Sequence, residues 1–308
     1  MGRVGRTGNQ RRVTVRGEID EFVQSLEDQQ ATRERGVSRN TLMAYRSDLE
    51  QFLTYLGRQG LTSWSISALD VINYKRDLEE RYSKATTRAR KLAAVKALYR
   101  YLTATGKVAH DPARNLDLPS PIKHAPETLS REQLQRLVDS THVSDQAPDV
   151  ERAKAQRDHA MLSLLCSTGL LASELVAIDL ADYGTDGSLS LGGPSRRRVI
   201  PIDGPTRASL LTYIEQARPT LTHGVDETAL FVNHRGSRLT RQGFWLIIKQ
   251  CATHAGIAGI SPRLLRHSCA AYKLTSGTEL KQVQELLGHA HASTTQAYVR
   301  ARPVEAVS

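Results

Sequence analysis

Pro119, Pro121 and Pro126 fall within eight residues, in the run Leu118-Pro-Ser-Pro-Ile-Lys-His-Ala-Pro. Proline lacks a backbone donor and its ring clashes with the carbonyl four residues back, so no helix passes through such a stretch. The segment reads as an extended linker. It divides the 308 residues into two parts of ordinary domain size. The sequence therefore predicts a basic tail over residues 1–17, a helical domain over 18–118, a linker over 119–127 and a second domain over 128–308.

The first part carries a helical pattern. Leu42, Tyr45, Leu49, Phe52, Leu53 and Leu56 recur at three- and four-residue spacings, with Gly57 as the expected stop. Leu92, Val95, Leu98, Tyr99 and Leu102 predict another helix, ending near Gly106. Lys84, Arg88, Arg90, Lys91, Lys96 and Arg100 are expected on its opposite face. A helix with an apolar stripe and a basic one packs on its own domain and meets phosphates outside; a solvated basic face is the plainer alternative.

The charge balance agrees with that reading. Of the formal net charge of +10, most lies before the linker, where 21 Lys+Arg face 14 Asp+Glu; from Pro119 onward the counts are 21 and 18. Arg3, Arg6, Arg11, Arg12 and Arg16 all precede the first acidic residue, Glu18. Such a tail is expected to be disordered and is suited to contact nucleic acid. No run of 18 apolar residues occurs, which argues against a membrane span. The basic N-terminus is not followed by an apolar stretch, so it does not read as a secretory signal. Cys166, Cys251 and Cys269 form no Cys-x-x-Cys pair and leave an odd thiol. This predicts no disulfide framework and no zinc site, and a reducing, cytoplasmic setting.

In the second part, Ser130 and Gln133 make a capping box for a helix with Leu134 and Leu137. A helix over Asp158–Thr168 ends at Gly169, and Ser188–Ile202 alternates as a β-hairpin does. Helices are expected around 205–217, 240–254, 262–276 and 279–287. Ser261-Pro262 opens one of these, placing Arg263 and Arg266 on one face near a helix N-terminus, a ready anion site. Gly288 should end the next in a left-handed cap, with His289 projecting into a cleft. Ser293 and Gln296 are read as a capping box for a short helix carrying Tyr298. Taken singly, each has an ordinary reading: paired surface arginines, a structural histidine, a core tyrosine.

Together they say more. Ser-Pro-Arg-Leu-Leu-Arg-His (261–267), Leu-Leu-Gly-His (286–289) and Ser-Thr-Thr-Gln-Ala-Tyr (293–298) resemble the motifs of the tyrosine recombinase, or phage integrase, family. The likeness is strongest to its Xer branch. Thr41–Leu56 and Thr86–Pro112 resemble the family's helical core-binding domain; Thr-Gly-Leu-Leu-Ala-Ser-Glu-Leu (168–175) and Thr-Arg-Gln-Gly-Phe-Trp (240–245) extend the likeness. The resemblance implies a mainly α fold with a small β-hairpin, as a two-domain C-shaped clamp on double-stranded DNA. It implies a tyrosine that attacks a phosphodiester, leaving a 3′-phosphotyrosine link and a free 5′-hydroxyl, with no ATP, metal or other cofactor. It implies homo- or hetero-tetramers on DNA, in which only some protomers cleave at a time, and no membrane partner. DNA contacts are expected from Arg39, Thr41, Tyr45, Lys84, Thr87, Arg88, Arg90, Lys91, Lys96 and Arg241.

Residue by residue, Tyr298 matches the nucleophile, His289 the second histidine and Arg266 the second arginine. Three positions depart. Leu171 stands where the first arginine belongs, Gly193 where the hairpin lysine belongs, and Arg263 at the first histidine. No Lys or Arg occurs from Asp158 to Ser195, so no small realignment restores the first arginine. Loss of one preorganised donor costs roughly 10²–10³ in rate. The sequence thus predicts a DNA-binding protein of recombination and integration, impaired in cleavage and acting with active partners. The alternative is an active recombinase in which Arg263 and the Arg196, Arg197, Arg198 run rebuild the phosphate clamp. A third reading is an architectural or regulatory DNA-binding protein. A small-molecule enzyme has little support, since no glycine-rich phosphate loop or metal-ligand cluster is present.

Overall fold

Four helices make the described part of the N-terminal unit: α1 (Gln10–Thr32), α2 (Arg39–Arg58), α3 (Ala68–Arg81) and α4 (Ala85–Ala104). The computed structural model describes residues 10–32, 39–119, 125–192, 198–289 and 291–303. The chain divides into two compact units, Met1–Lys123 and His124–Ser308. In the first, Leu49 and Phe52 of α2, Val71 and Tyr74 of α3, and Leu92, Val95, Leu98 and Tyr99 of α4 meet in one core. Ser67 and Asp70 form a capping box that starts α3.

Three expectations for this unit are corrected. Helix α1 begins at Gln10, inside the stretch expected to be a disordered tail. Once Ile19, Phe22 and Val23 are packed, each added residue costs little beyond its own fixing, so the helix propagates outward. Helix α2 runs past Gly57 to Arg58, and the left-handed turn falls at Gly60 (φ 73°).

The third correction concerns the basic face of α4. Lys91 is buried, 3% exposed, because with Val95, Leu98 and Leu102 it falls on the inward stripe. Its Nζ donates to Asp48 Oδ1 at 2.9 Å and to Gln51 Oε1 at 2.7 Å, and sits over the Tyr82 ring. Arg90 pairs with the same Asp48, Arg88 donates to the carbonyls of Tyr82 and Ser83, and Lys96 donates to the Leu116 carbonyl. These four side chains hold the unit together, whereas Lys84 and Arg100 are exposed. Thr41, Tyr45 and Thr87 are partly buried, and the side chain of Arg39 lies outside the described residues.

The second unit begins with β1 (Glu127–Thr128) and α5 (Arg131–Asp139), the latter opened by the expected Ser130–Gln133 capping box. Helix α6 (Asp149–Thr168) forms the centre, with Ala160, Met161, Leu162, Leu164 and Leu165 buried. It starts nine residues before the expected Asp158. Its first part shows no apolar stripe because its inward residues include Arg157, which donates to the Val232 carbonyl and pairs with Asp158. After α7 (Ala172–Ala177) comes the antiparallel hairpin of β2 (Ser188–Leu191) and β3 (Arg198–Pro201).

Helix α8 (Gly204–Thr212) passes through a wide turn, Tyr213–Ala217, into α9 (Arg218–Thr222), beyond the expected end at 217. The Arg218 N–H reaches back five residues to the Tyr213 carbonyl. This widening accommodates Pro219, which would break a tighter helix. Helices α10 (Arg241–His254), α11 (Pro262–Thr275) and α12 (Leu280–Leu287) lie within a residue of expectation. The chain then forms α13 (Ala292–Gln296), a tight 3₁₀ turn over Ala297–Arg300, and β4 (Arg302–Pro303), which pairs parallel with β1. His291, not Ser293, occupies the α13 N-cap, without a side-chain cap bond, so the expected capping box is not formed. Among the described residues, no helix is long and apolar enough to cross a membrane, and no group of His, Cys, Asp or Glu is placed to hold a metal ion.

Candidate active site

Helices α6 and α11 meet where α6 must end. Gly169 caps α6 at φ 65°, and a Cβ there would lie 2.8 Å from Leu287 Cδ2 and 3.3 Å from Cys269 Sγ. Glycine thus serves both the left-handed turn and the close approach. It leaves the Gly169 carbonyl facing α11, where Arg266 Nη1 donates to it at 2.9 Å. Arg266 Nη2 donates to the Leu287 carbonyl at 2.7 Å, so one buried guanidinium joins the ends of α6 and α12.

The end of α12 is held from a second side. Arg198 of β3 donates from Nη1 to the same Leu287 carbonyl at 3.2 Å, and its Nη2 pairs with Glu174 Oε1 at 2.9 Å. Glu174 Oε2 accepts from the Leu171 N–H at 2.8 Å. Gly288 follows at φ 67°, with no room for a Cβ against the Arg198 guanidinium. The chain turns there and delivers His289. Its N–H donates to the Gln284 carbonyl, its own carbonyl accepts from Gln284 Nε2, and its Nδ1 lies 2.9 Å from the buried Thr295 hydroxyl.

Tyr298 comes from the 3₁₀ turn and packs on Ala270, Val283 and Leu287. Its ring lies 6.0 Å from that of His289, nearly parallel, and 5.2 Å from that of His267. Burial raises the Tyr298 phenol above its ordinary range, while Arg266 and Arg263 oppose that shift. Burial, then Arg266, Arg198 and His267, push His289 down to about 4, so its imidazole is neutral near pH 7.

One cavity of about 970 Å³ gathers these groups: Arg263, Arg266, His267, His289 and Tyr298 line it, with Arg241 of α10. Every described catalytic candidate is therefore brought together, and of the expected DNA contacts Arg241 joins them. The lining also includes the apolar Leu171, Ala172, Trp245 and Leu246, interspersed with Ser173 and Gln242. Leu171 is 45% exposed, so a side chain at this position faces the opening rather than the core. Arg198 is not in the lining; its guanidinium is directed at Leu287 and Glu174. Gly193, Arg196 and Arg197 lie outside the described residues.

Sequence reasoning did not single out His267, Thr295 or Glu174. His267 sits inside a quoted motif, at a four-residue spacing from Arg263 that places both on one helix face. The bond of Thr295 to His289 had no readable signal, since its motif was assigned to capping. Glu174 shows its role only once the hairpin folds back on it.

The arrangement is that of an anion site: three guanidinium groups, of Arg241, Arg263 and Arg266, and two neutral imidazoles around a phenol. Residues 127–305 match a family model described as Phage integrase family, and residues 19–106 one described as Phage integrase, N-terminal SAM-like domain. A tyrosine recombinase XerC of Roseiflexus sp. (strain RS-1) is 40% identical over 286 residues, 91% of this chain and 88% of that protein. A tyrosine recombinase XerD of Listeria monocytogenes serotype 4b (strain F2365) is 35% identical over 271 residues, 86% and 89% of the two chains. Among solved structures, XerH site-specific recombinase bound to palindromic difH substrate, in a post-cleavage complex, is similar with a TM-score of 0.69. The identity is 16%, over 92% of this chain and 90% of that one. A lambda integrase dimer bound to a COC′ core site is similar at 0.68 and 15% identity, over 95% and 98%. At those identities the likeness is one of fold.

Proposed function

The chain belongs to the phage integrase family of tyrosine recombinases, and from that premise we propose that it binds double-stranded DNA in site-specific recombination, is impaired in cleaving it, and acts beside active family members. The observation that carries this reading is Leu171, an exposed apolar side chain lining the same cavity as Tyr298, His289 and Arg266.

In cleavage by this family, a P–O bond to the tyrosine oxygen forms as the P–O5′ bond breaks; the phenol gives up its proton to a base and the leaving 5′ oxygen takes one from an acid. Developing charge on the phosphate needs fixed donors aimed at it. Arg266 and Arg263 supply cationic donors here, and neutral His289, held at Nδ1 by Thr295, lines the cavity with them. Leucine has no donor for a phosphate oxygen, and glycine at 193 has no proton to give the leaving group. A missing general acid costs roughly 10²–10⁴, and such losses combine without simply adding. Binding depends less on these two positions than turnover does.

A nicked suicide substrate, which traps the covalent intermediate, tests the proposal. DNA binding without an adduct is the expected outcome. Efficient adduct formation that disappears in Tyr298→Phe would overturn the impairment. It would favour the second reading, an active enzyme whose clamp is rebuilt by Arg263 and the hairpin arginines. Arg198 bears on that reading through its position: its guanidinium is buried between Leu287 and Glu174 and does not line the cavity, although its Nε and Nη2 make no hydrogen bond there among the described residues. An architectural role would show as binding that bends DNA with no recombination in any partner mixture.

A further inference from the structure

His267 has no part in the mechanism above, yet it touches two of the groups that do. Its ring centroid is 5.2 Å from that of Tyr298, inclined at 56°. Its Nε2 lies 3.2 Å from Arg263 Nε. A guanidinium only donates, so Nε2 is the acceptor and the ring proton sits on Nδ1. The backbone of Glu127 is a further hydrogen-bonding neighbour of the ring. Glu127 belongs to β1, whose paired strand β4 follows Tyr298 in the chain. Burial and the neighbouring Arg263 push the imidazole below its ordinary range, with Arg266 adding to the shift and the Glu127 contact opposing it. The ring therefore remains an acceptor at neutral pH.

Arg263 is exposed near the N-terminus of α11. An exposed arginine samples many rotamers, and ordering it on a ligand costs affinity. A bond at Nε removes much of that freedom without using the terminal amino groups. We infer that His267 is a positioning residue, which takes its orientation from β1 and holds Arg263 by Nε so that both terminal amino groups are free for a DNA phosphate. The same strand pair carries the chain onward from the nucleophile, so one element sets the place of Arg263 and of Tyr298. The inference rests on the reading of this cavity as a DNA phosphate site.

Two measurements test it separately from that reading. Nitrogen NMR of the free protein should find His267 protonated at Nδ1, with its pKa rising in Arg263→Ala. A proton on Nε2, or a pKa indifferent to Arg263→Ala, overturns the inference whether or not DNA binds. The second measurement is duplex affinity as a function of salt. Arg263→Ala should lower the slope of log K against log salt by about one phosphate contact. His267→Ala should weaken binding about three- to fivefold, and the double variant should bind no worse than Arg263→Ala alone. His267→Gln, which retains an acceptor at similar reach, should restore most of the loss. Fully additive losses in the double variant, or no rescue by Gln in a protein of unchanged thermal midpoint, overturn it. Failure of the wild-type protein to bind duplex would sink the phosphate-site reading instead, and the NMR result would still decide the relay.

Discussion

Arg266 donates from Nη2 to the Leu287 carbonyl at 2.7 Å, two residues before His289. The guanidinium facing the cavity is thus also the clamp that sets where α12 ends. Lysine has the charge but not the fork, and cannot reach the Gly169 and Leu287 carbonyls together. Arg266→Lys is expected to leave at least one buried acceptor unmet, at about 1–3 kcal/mol. Denaturant unfolding should show that loss of stability alongside weaker DNA binding. Unchanged stability would mean the clamp is not structural.

Leu171 offers a test by restoration. Because the position is exposed, Leu171→Arg should fold with a change within about 0.5 kcal/mol. Combined with Gly193→Lys, it should raise covalent adduct yield on a suicide substrate by at least about 10². Each single change should do less, since the donor and the acid act together. A double variant with no gain would count against Leu171 and Gly193 as the source of the proposed impairment.

Gly288 should tolerate no side chain. Gly288→Ala brings a Cβ onto the Arg198 guanidinium at a positive φ. At Gly60, where φ is 73° and the space is open, Ala meets only the backbone penalty, about 1 kcal/mol. Parallel thermal melts should therefore separate the two variants, with Gly288→Ala lower. Equal midpoints would show that Arg198 simply swings away.

His289 makes stability depend on pH. Its folded value, near 4, is below the ordinary 6.5. As pH falls below 6.5 the unfolded chain takes up the proton first, so the contribution present above 6.5 is lost progressively toward pH 4. His289→Gln should remove that component. Urea unfolding of both proteins at several pH values between 7 and 4 should show the wild type losing more stability. A constant difference between them would contradict the assignment.

Asp48 should matter to the N-terminal unit more than any exposed charge. Asp48→Ala strands the buried Lys91, at a cost of about 3–5 kcal/mol. Lys84→Ala, at an exposed position, should leave stability nearly unchanged and lower the salt dependence of DNA binding. Circular dichroism melts and a salt series distinguish the two.

These residues also show what could be read in advance. Gly169, Gly288 and the Ser261-Pro262 opening carry their conformations in their identities, so the ends of α6, α11 and α12 followed from sequence. Tyr298, His289, Arg266 and Arg263 are named from the resemblance of their motifs to the recombinase family, and the fold places all four on one cavity. Lys91 did not, because a charge on an apolar stripe looks solvent-facing until its buried partner, Asp48, is found on another helix. The early turns of α6 were hidden for a similar reason, an inward Arg157 satisfied by a distant carbonyl. Glu174, Arg198 and Thr295 act through contacts that exist only after the hairpin and α13 fold back. Local pattern reports what a residue prefers; it does not report which remote group has made an exception affordable.

The pairing of β1 with β4 has a consequence for the order of assembly. Glu127 and Arg302 are partners across almost the entire second unit. Contacts so distant along the chain carry a large loop-closure entropy, and form late unless other structure has already brought the ends together. On the ribosome, β4 emerges after every helix of the unit. Tyr298, which lies between α12 and β4 in the chain, therefore emerges after Ala270, Val283 and Leu287, the residues that seat it.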